Sequence, residues 1–287
     1  MIELFETIKL YFSFSFVIYA FVAGIMIAAV SSLLGVTLVL KRFSYIGDGL
    51  SHTAFGAMAM ASVLKLSCDT IFVLPVTVLF AVLILCAKEN SKIKGDASVA
   101  MISTGALAIG YFLMNIFSPP ANLSGDVCST LFGSTLILTL TKADTIFSVV
   151  IAAFVIILFL YFYNRIFALT FDEDFAHTCG TNTKIVNIIF ASVVAAVIVL
   201  AMNLVGTLLI SALIIFPSVS SMIIFKSFKR VTVFSCIFSI TGTIIGLFVS
   251  VISGTPVGAT IVVIDILIFA ICTVISKFRQ YVVPSSL

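Results

Sequence analysis

The chain has 287 residues, 62% of them hydrophobic, with 15 basic and 12 acidic side chains, a net charge of +3 and a mean hydropathy of +1.32. Charged residues make up 9% of the chain, against roughly 25% in soluble domains, and disordered or nucleic-acid-binding chains need denser charge still. These figures exclude all three classes and leave an all-α, polytopic transmembrane helical bundle, with room for roughly eight to ten helices at about 20 residues per span.

In chain order, residues 1–17 lack the basic start and small-residue cleavage site of a secretory signal, and are expected to be retained as an interfacial N-terminal segment. Apolar runs between charged or turn-rich breaks then predict nine spans, near 18–40, 50–66, 70–87, 97–117, 145–164, 186–203, 205–225, 231–252 and 259–276. The apolar stretch 127–140 is too short to cross and reads as re-entrant or interfacial. Together these make one membrane domain over 1–287, with no second, water-soluble domain. With the N-terminus outside and the C-terminus inside, twelve of the fifteen bases fall on the cytoplasmic side: Lys41, Arg42, Lys88, Lys92, Lys94, Arg165, Lys184, Lys226, Lys229, Arg230, Lys277 and Arg279. Lys9, Lys65 and Lys142 fall elsewhere, so the reverse orientation would invert the positive-inside bias.

The six cysteines are scattered without a C-x-x-C pair and read as small apolar residues within helices. Small residues at helical spacing, Gly242 with Gly246, Ser250 with Gly254 and Gly24 with Ala28, suit close helix packing.

Three places hold charge inside or beside the apolar runs. In LVLKRFSYIGDGLSHTAFGA, residues 38–57, Asp48 and His52 lie one helical turn apart on one face. A carboxylate and an imidazole so placed suit zinc, manganese or ferrous iron. The same spacing also fits a helix start with Asp48 as cap. The second place, RIFALTFDEDFAHTCGTNTK at 165–184, is the longest polar break on the cytoplasmic side. Asp172, Glu173 and Asp174 suit the positive end of a short helix and Gly180 its end, although an ordinary solvated loop is the reading these residues favour on their own; His177 and Cys179 alone make a poor metal pair. The third is Asp265, which interrupts IVVIDILIF: it either lines an ion path or is held neutral or bonded to a neighbouring helix. No G-x-x-x-x-G-K-[ST], G-x-S-x-G or H-E-x-x-H occurs, so the chain lacks its own nucleotide-hydrolysing loop and any recognisable hydrolase site.

Four ordered pieces, LLGVTLVLKRFSYIGDGLSH (33–52), FDEDFAHTCG (171–180), VGTLLISALIIFPSVSS (205–221) and SGTPVGATIVV (253–263), resemble the membrane permeases of bacterial ATP-binding-cassette importers for zinc, manganese or iron. The resemblance covers residues 18–276. It implies a multi-pass protein of the bacterial cell membrane, acting as a permease homodimer with a cytoplasmic ATPase and an extracellular metal-binding protein. No cofactor is permanently bound, and a divalent metal ion is the cargo. It implies an intramembrane metal site at Asp48 and His52, two copies together supplying four ligands. Ser44, Ser51 and the backbone near Gly47 and Gly49 would support these ligands. It further implies an ATPase-coupling segment with Phe171, Asp172, Glu173, Ala176 and Gly180, where Asp174 and Phe175 depart from the family's pattern. At Asp265 the family is mostly apolar. A secondary transporter driven by protons or sodium, with Asp48 and Asp265 as coupling carboxylates, is the competing reading; an enzyme lacks a nucleophile and base.

Overall fold

A computed structural model of the chain describes residues 13–66, 69–86, 95–117 and 140–282. The start of the expected interfacial segment (1–12) and nearly all of the short apolar stretch 127–140 lie outside them. The described residues form eleven helices and no strand: α1 Ser15–Leu40, α2 Ile46–Val63, α3 Asp69–Cys86, α4 Gly95–Phe117, α5 Lys142–Tyr161, α6 Tyr163–Phe171, α7 Glu173–Thr178, α8 Thr183–Val205, α9 Thr207–Ile224, α10 Phe228–Ser253 and α11 Val257–Val282. Among the described residues, each of the nine expected runs lies mainly in one helix, except that the fifth breaks at Phe162 and its last residues begin α6; α6 and α7 fill the polar break that follows. Six of the described helices, α1, α4, α5, α8, α10 and α11, are long and apolar enough to cross a bilayer. Helices α3 and α9 contribute the shorter apolar stretches Phe72–Ile84 and Leu209–Ile224. Helix α2, rich in Gly, Ser and Ala, is buried over most of its length.

Local chemistry sets the breaks. Helix α5 starts at a capping box in which the Asp144 amide donates to Thr141 Oγ1 at 3.2 Å and the Thr141 amide donates to Asp144 Oδ2 at 3.1 Å. Helices α8 and α9 are separated by Gly206 at φ 91° and ψ 160°, backbone that only glycine adopts freely. Helix α10 ends on Gly254 at φ 65°, and Pro256 precedes the first turn of α11.

Small and hydroxylated residues then bring the long helices together, as expected where lipid offers no hydrophobic drive for helix association. Ser239 donates to the Ala28 carbonyl at 2.9 Å, Ser235 to the Ser32 carbonyl at 3.4 Å, and Ser218 and Ser235 share a hydrogen bond at 3.3 Å, joining α1, α9 and α10. Gly35 lets α1 approach the α9 backbone so closely that a Cβ there would collide with the Ile214 carbonyl oxygen. Gly242 and Gly246 face Asp265 and Ile261 of α11, so this pair packs helices within the subunit, and Gly24 meets Thr243 and Leu247 of α10. Among the six long helices α1 and α8 are the most enclosed, whereas α4, α5 and α11 present apolar side chains such as Phe112, Ile157 and Leu267 outward.

The ends of the bundle differ in charge. The first turn of α8 bonds Lys41 at the end of α1, and Phe228 at the start of α10 packs on Tyr163, Phe167 and Phe171 of α6. Ser276 near the end of α11 donates to the Ile223 carbonyl near the end of α9 at 3.4 Å. One end therefore gathers Lys41, Arg42, Arg165, Lys184, Lys226, Lys229, Arg230, Lys277 and Arg279. Among the described bases only Lys65, past the end of α2, and Lys142, at the start of α5, mark the other.

Candidate functional site

Asp48 and His52 sit in the first two turns of α2, at the basic end. Tyr45, not Asp48, occupies the N-cap position, and it makes no side-chain cap bond. Asp48 lies in the first turn, where the helix dipole favours a negative charge. The capping alternative for Asp48 therefore gives way to a pair: His52 Nε2 lies 3.2 Å from Asp48 Oδ1. At this distance the imidazole and the carboxylate are in direct i,i+4 contact; ligand atoms about 2.0–2.1 Å from one tetrahedral ion lie about 3.3 Å apart, so the same spacing fits an ion pair and a shared ion alike. The Asp48 side chain is 51% exposed and that of His52 is 17% exposed, so an ion reaching the pair from outside meets the carboxylate first. His52 Nδ1 is buried without a hydrogen-bond partner.

Glycine positions this helix. A Cβ at Gly47 would meet Ile214 Cδ1 of α9 at 3.0 Å, and one at Gly49 would meet Val99 Cγ1 of α4 at 2.7 Å. One turn further, Gly56 packs on the Ala106 carbonyl, and Gly110 of α4 faces the Phe55 ring and Gly56. The pair thus stands on a helix wedged between α4 and α9. Ser51 and Thr53 donate back to the Gly47 and Gly49 carbonyls, so the Ser51 hydroxyl is committed to its own helix. Ser211 Oγ, on the part of α9 facing Gly47, is buried without a partner. No group of three or more His, Cys, Asp or Glu is assembled among the described residues, so this copy offers an ion a pair of side chains.

The polar break folds as two short helices. The Phe175 amide donates to Asp172 Oδ1 at 2.8 Å, which caps α7, and Gly180 at φ 80° carries the chain out of it. Ala176 is fully buried, letting α7 seat closely. Glu173 stays exposed but bonds the bundle: Asn187 Nδ2 of α8 donates to its Oε1 at 2.9 Å, and Lys41 Nζ donates to Asn187 Oδ1 at 3.0 Å. The rings of Phe171 and Phe175 are both 59% exposed, and Phe171 also stacks into the Phe167–Phe228 cluster. Sequence reasoning did not single out Asn187, and it named Phe175 only as a departure from the family's pattern. An aromatic residue following the acids and a lone amide at the head of an apolar run were the signals available. His177 and Cys179 are both exposed and belong to no metal-binding group.

Asp265 is brought together with none of these. It is buried against Gly242 in the α10–α11 contact, with Oδ2 lacking a partner. Twelve residues, about 18 Å of helix, separate it from Lys277 at the basic end.

The profile of the ABC 3 transport family matches residues 13–276. The manganese import system permease protein ScaB of Streptococcus gordonii is 27% identical, covering 93% of this chain and 94% of its own length. A protein named as a probable metal transport system membrane protein in Thermotoga maritima is 30% identical, covering 89% of this chain and 88% of its own. Other relatives carry names that specify manganese, iron or zinc transport. Among solved structures, PsaBC from Streptococcus pneumoniae in complex with Fab superposes with a TM-score of 0.81 at 28% identity, over 95% of each chain.

Proposed function

The chain belongs to the ABC 3 transport family and is a multi-pass membrane protein, and from that premise we propose that it is the membrane-spanning subunit of an importer carrying a divalent transition metal ion, zinc or manganese, into the cytoplasm. The observation that carries this reading is the Asp48–His52 pair, with ligand atoms 3.2 Å apart at the head of a helix wedged between two others. One copy supplies two ligands; two copies facing each other across a two-fold axis supply four, a full shell for zinc and part of one for manganese.

The chain then works as one permease domain of nine spans, N-terminus outside and basic end in the cytoplasm. A binding protein outside delivers the ion, and ATP binding closes a pair of cytoplasmic ATPases. Their motion enters through the coupling segment at 165–184 and opens or shuts the path around Asp48 and His52. Exposed Phe171 and Phe175 support that docking role, as does the short capped helix that carries Phe175.

The test is uptake by proteoliposomes containing this chain with its ATPase and binding protein. Manganese or zinc accumulation that requires ATP supports the importer. Accumulation by this chain alone under a proton or sodium gradient would overturn it in favour of a secondary transporter.

A further inference from the structure

The hydrogen-bonded run Lys41–Asn187–Glu173 connects the two parts of the molecule that an importer must link, and its centre is a residue with no other evident task. Asn187 is 8% exposed and lies in the first turns of α8. Its amide accepts from Lys41 Nζ at 3.0 Å through Oδ1 and donates to Glu173 Oε1 at 2.9 Å through Nδ2. A carboxamide suits this position because it offers an acceptor to the ammonium and a donor to the carboxylate at once. Both bonds have a charged partner, which makes them stronger than neutral ones.

What lies beyond each end is stiff. Glu173 opens α7, six residues capped by Asp172 and seated on buried Ala176. Lys41 closes α1 and begins the turn into α2. In that turn the Arg42 amide donates to the Val39 carbonyl at 3.1 Å, the Phe43 amide to Leu38 at 2.9 Å, and the Ile46 amide to Phe43 at 3.1 Å. Arg42 takes φ 62°, a left-handed conformation that glycine usually supplies. A connection tied at three points and already strained has little slack, and Asp48 follows in the next helical turn.

We propose that Asn187 is a positioning residue that links α7 to the turn carrying the Asp48–His52 helix, so that displacement of the coupling segment reaches the metal pair through Lys41. The proposal rests on the importer reading and names the route within it. A contiguous network between two rigid elements is the physical form such transmission requires.

Reversing the polarity of the run tests it. In Asn187→Asp, the introduced carboxylate still accepts from Lys41 but has no proton to give Glu173. In the double variant Asn187→Asp with Glu173→Gln, the introduced amide donates to the introduced carboxylate and the run is whole again. The full complex with ATPase and binding protein is reconstituted in proteoliposomes, and ions taken up per ATP hydrolysed are measured with manganese and with zinc. Asn187→Asp is expected to lower that ratio about tenfold while ATPase co-purification and ATP hydrolysis persist, and the double variant to return it to within about threefold of the unaltered complex. Lys41→Gln, which weakens the other bond, is expected to lower it likewise, and it decides the matter if Asn187→Asp does not assemble. An unchanged ratio in either single variant, or a double variant no better than Asn187→Asp, would overturn the relay. If the unaltered complex shows no ATP-dependent uptake of either metal, the importer reading falls first and takes the relay with it.

Discussion

Asp48 and His52 illustrate how little distinguishes a metal ligand from a helix terminus until coordinates are available. Their spacing of four residues was plain in the sequence, yet it served a cap as well as a chelate; the position of Tyr45 at the N-cap sets the cap aside, and the 3.2 Å separation of Nε2 and Oδ1 makes the two side chains a contacting pair, on which the proposed metal site rests. His52→Ala is expected to lower metal uptake at limiting metal by more than about a hundredfold, since it removes a ligand rather than an outer support, with membrane insertion unchanged. Growth on trace manganese or zinc, alongside fractionation of the tagged protein, checks both halves. Gly35 belongs to the same scale for a different reason: its missing Cβ is what allows α1 to touch the α9 carbonyl at Ile214. Gly35→Ala is expected to destabilise the fold by about 1–3 kcal/mol through overpacking, read as a lowered thermal midpoint in detergent.

At the scale of elements, the apolar runs were legible because a helix in lipid must satisfy its backbone internally and therefore needs an unbroken apolar stretch. The break between α8 and α9 was legible too, but its cause was not, since only the dihedrals show that Gly206 is there for backbone unavailable to other residues. The 165–184 segment divides its labour in a way the sequence did not show. Asp172 caps, Ala176 seats, Gly180 turns and Glu173 bonds Asn187 of α8, leaving Phe171 and Phe175 as the exposed rings. Replacing both phenylalanines by alanine is therefore expected to cut ATPase retention on affinity purification by about tenfold or more, as loss of aromatic anchors does at interfaces, with the permease still inserted. Glu173→Ala, by contrast, is expected to leave ATPase retention within about threefold while lowering ions moved per ATP, measured on the same preparation.

At the scale of the whole molecule, the two ends differ by charge, and the basic end carries α6, α7 and the Asp48–His52 pair. If that end is cytoplasmic, a membrane-impermeant maleimide should label the exposed thiol of Cys179 in inverted vesicles and not in intact cells, in a variant whose other cysteines are replaced by alanine. Labelling from outside would invert the topology.

By itself the sequence determined that the protein lives in a membrane, roughly where its apolar helices lie, and which family pattern they carry. All of these follow from local rules: apolar length, charge bias and residues a few positions apart. Only the tertiary structure decided that Asp265 lies against Gly242 and apart from Asp48 and His52, and that Glu173 reaches Lys41 through Asn187. Those relations join residues that are 14 to 146 positions apart, and no periodicity encodes which helix faces which. They are settled by where small residues let two backbones approach, a property of the packed bundle as a whole.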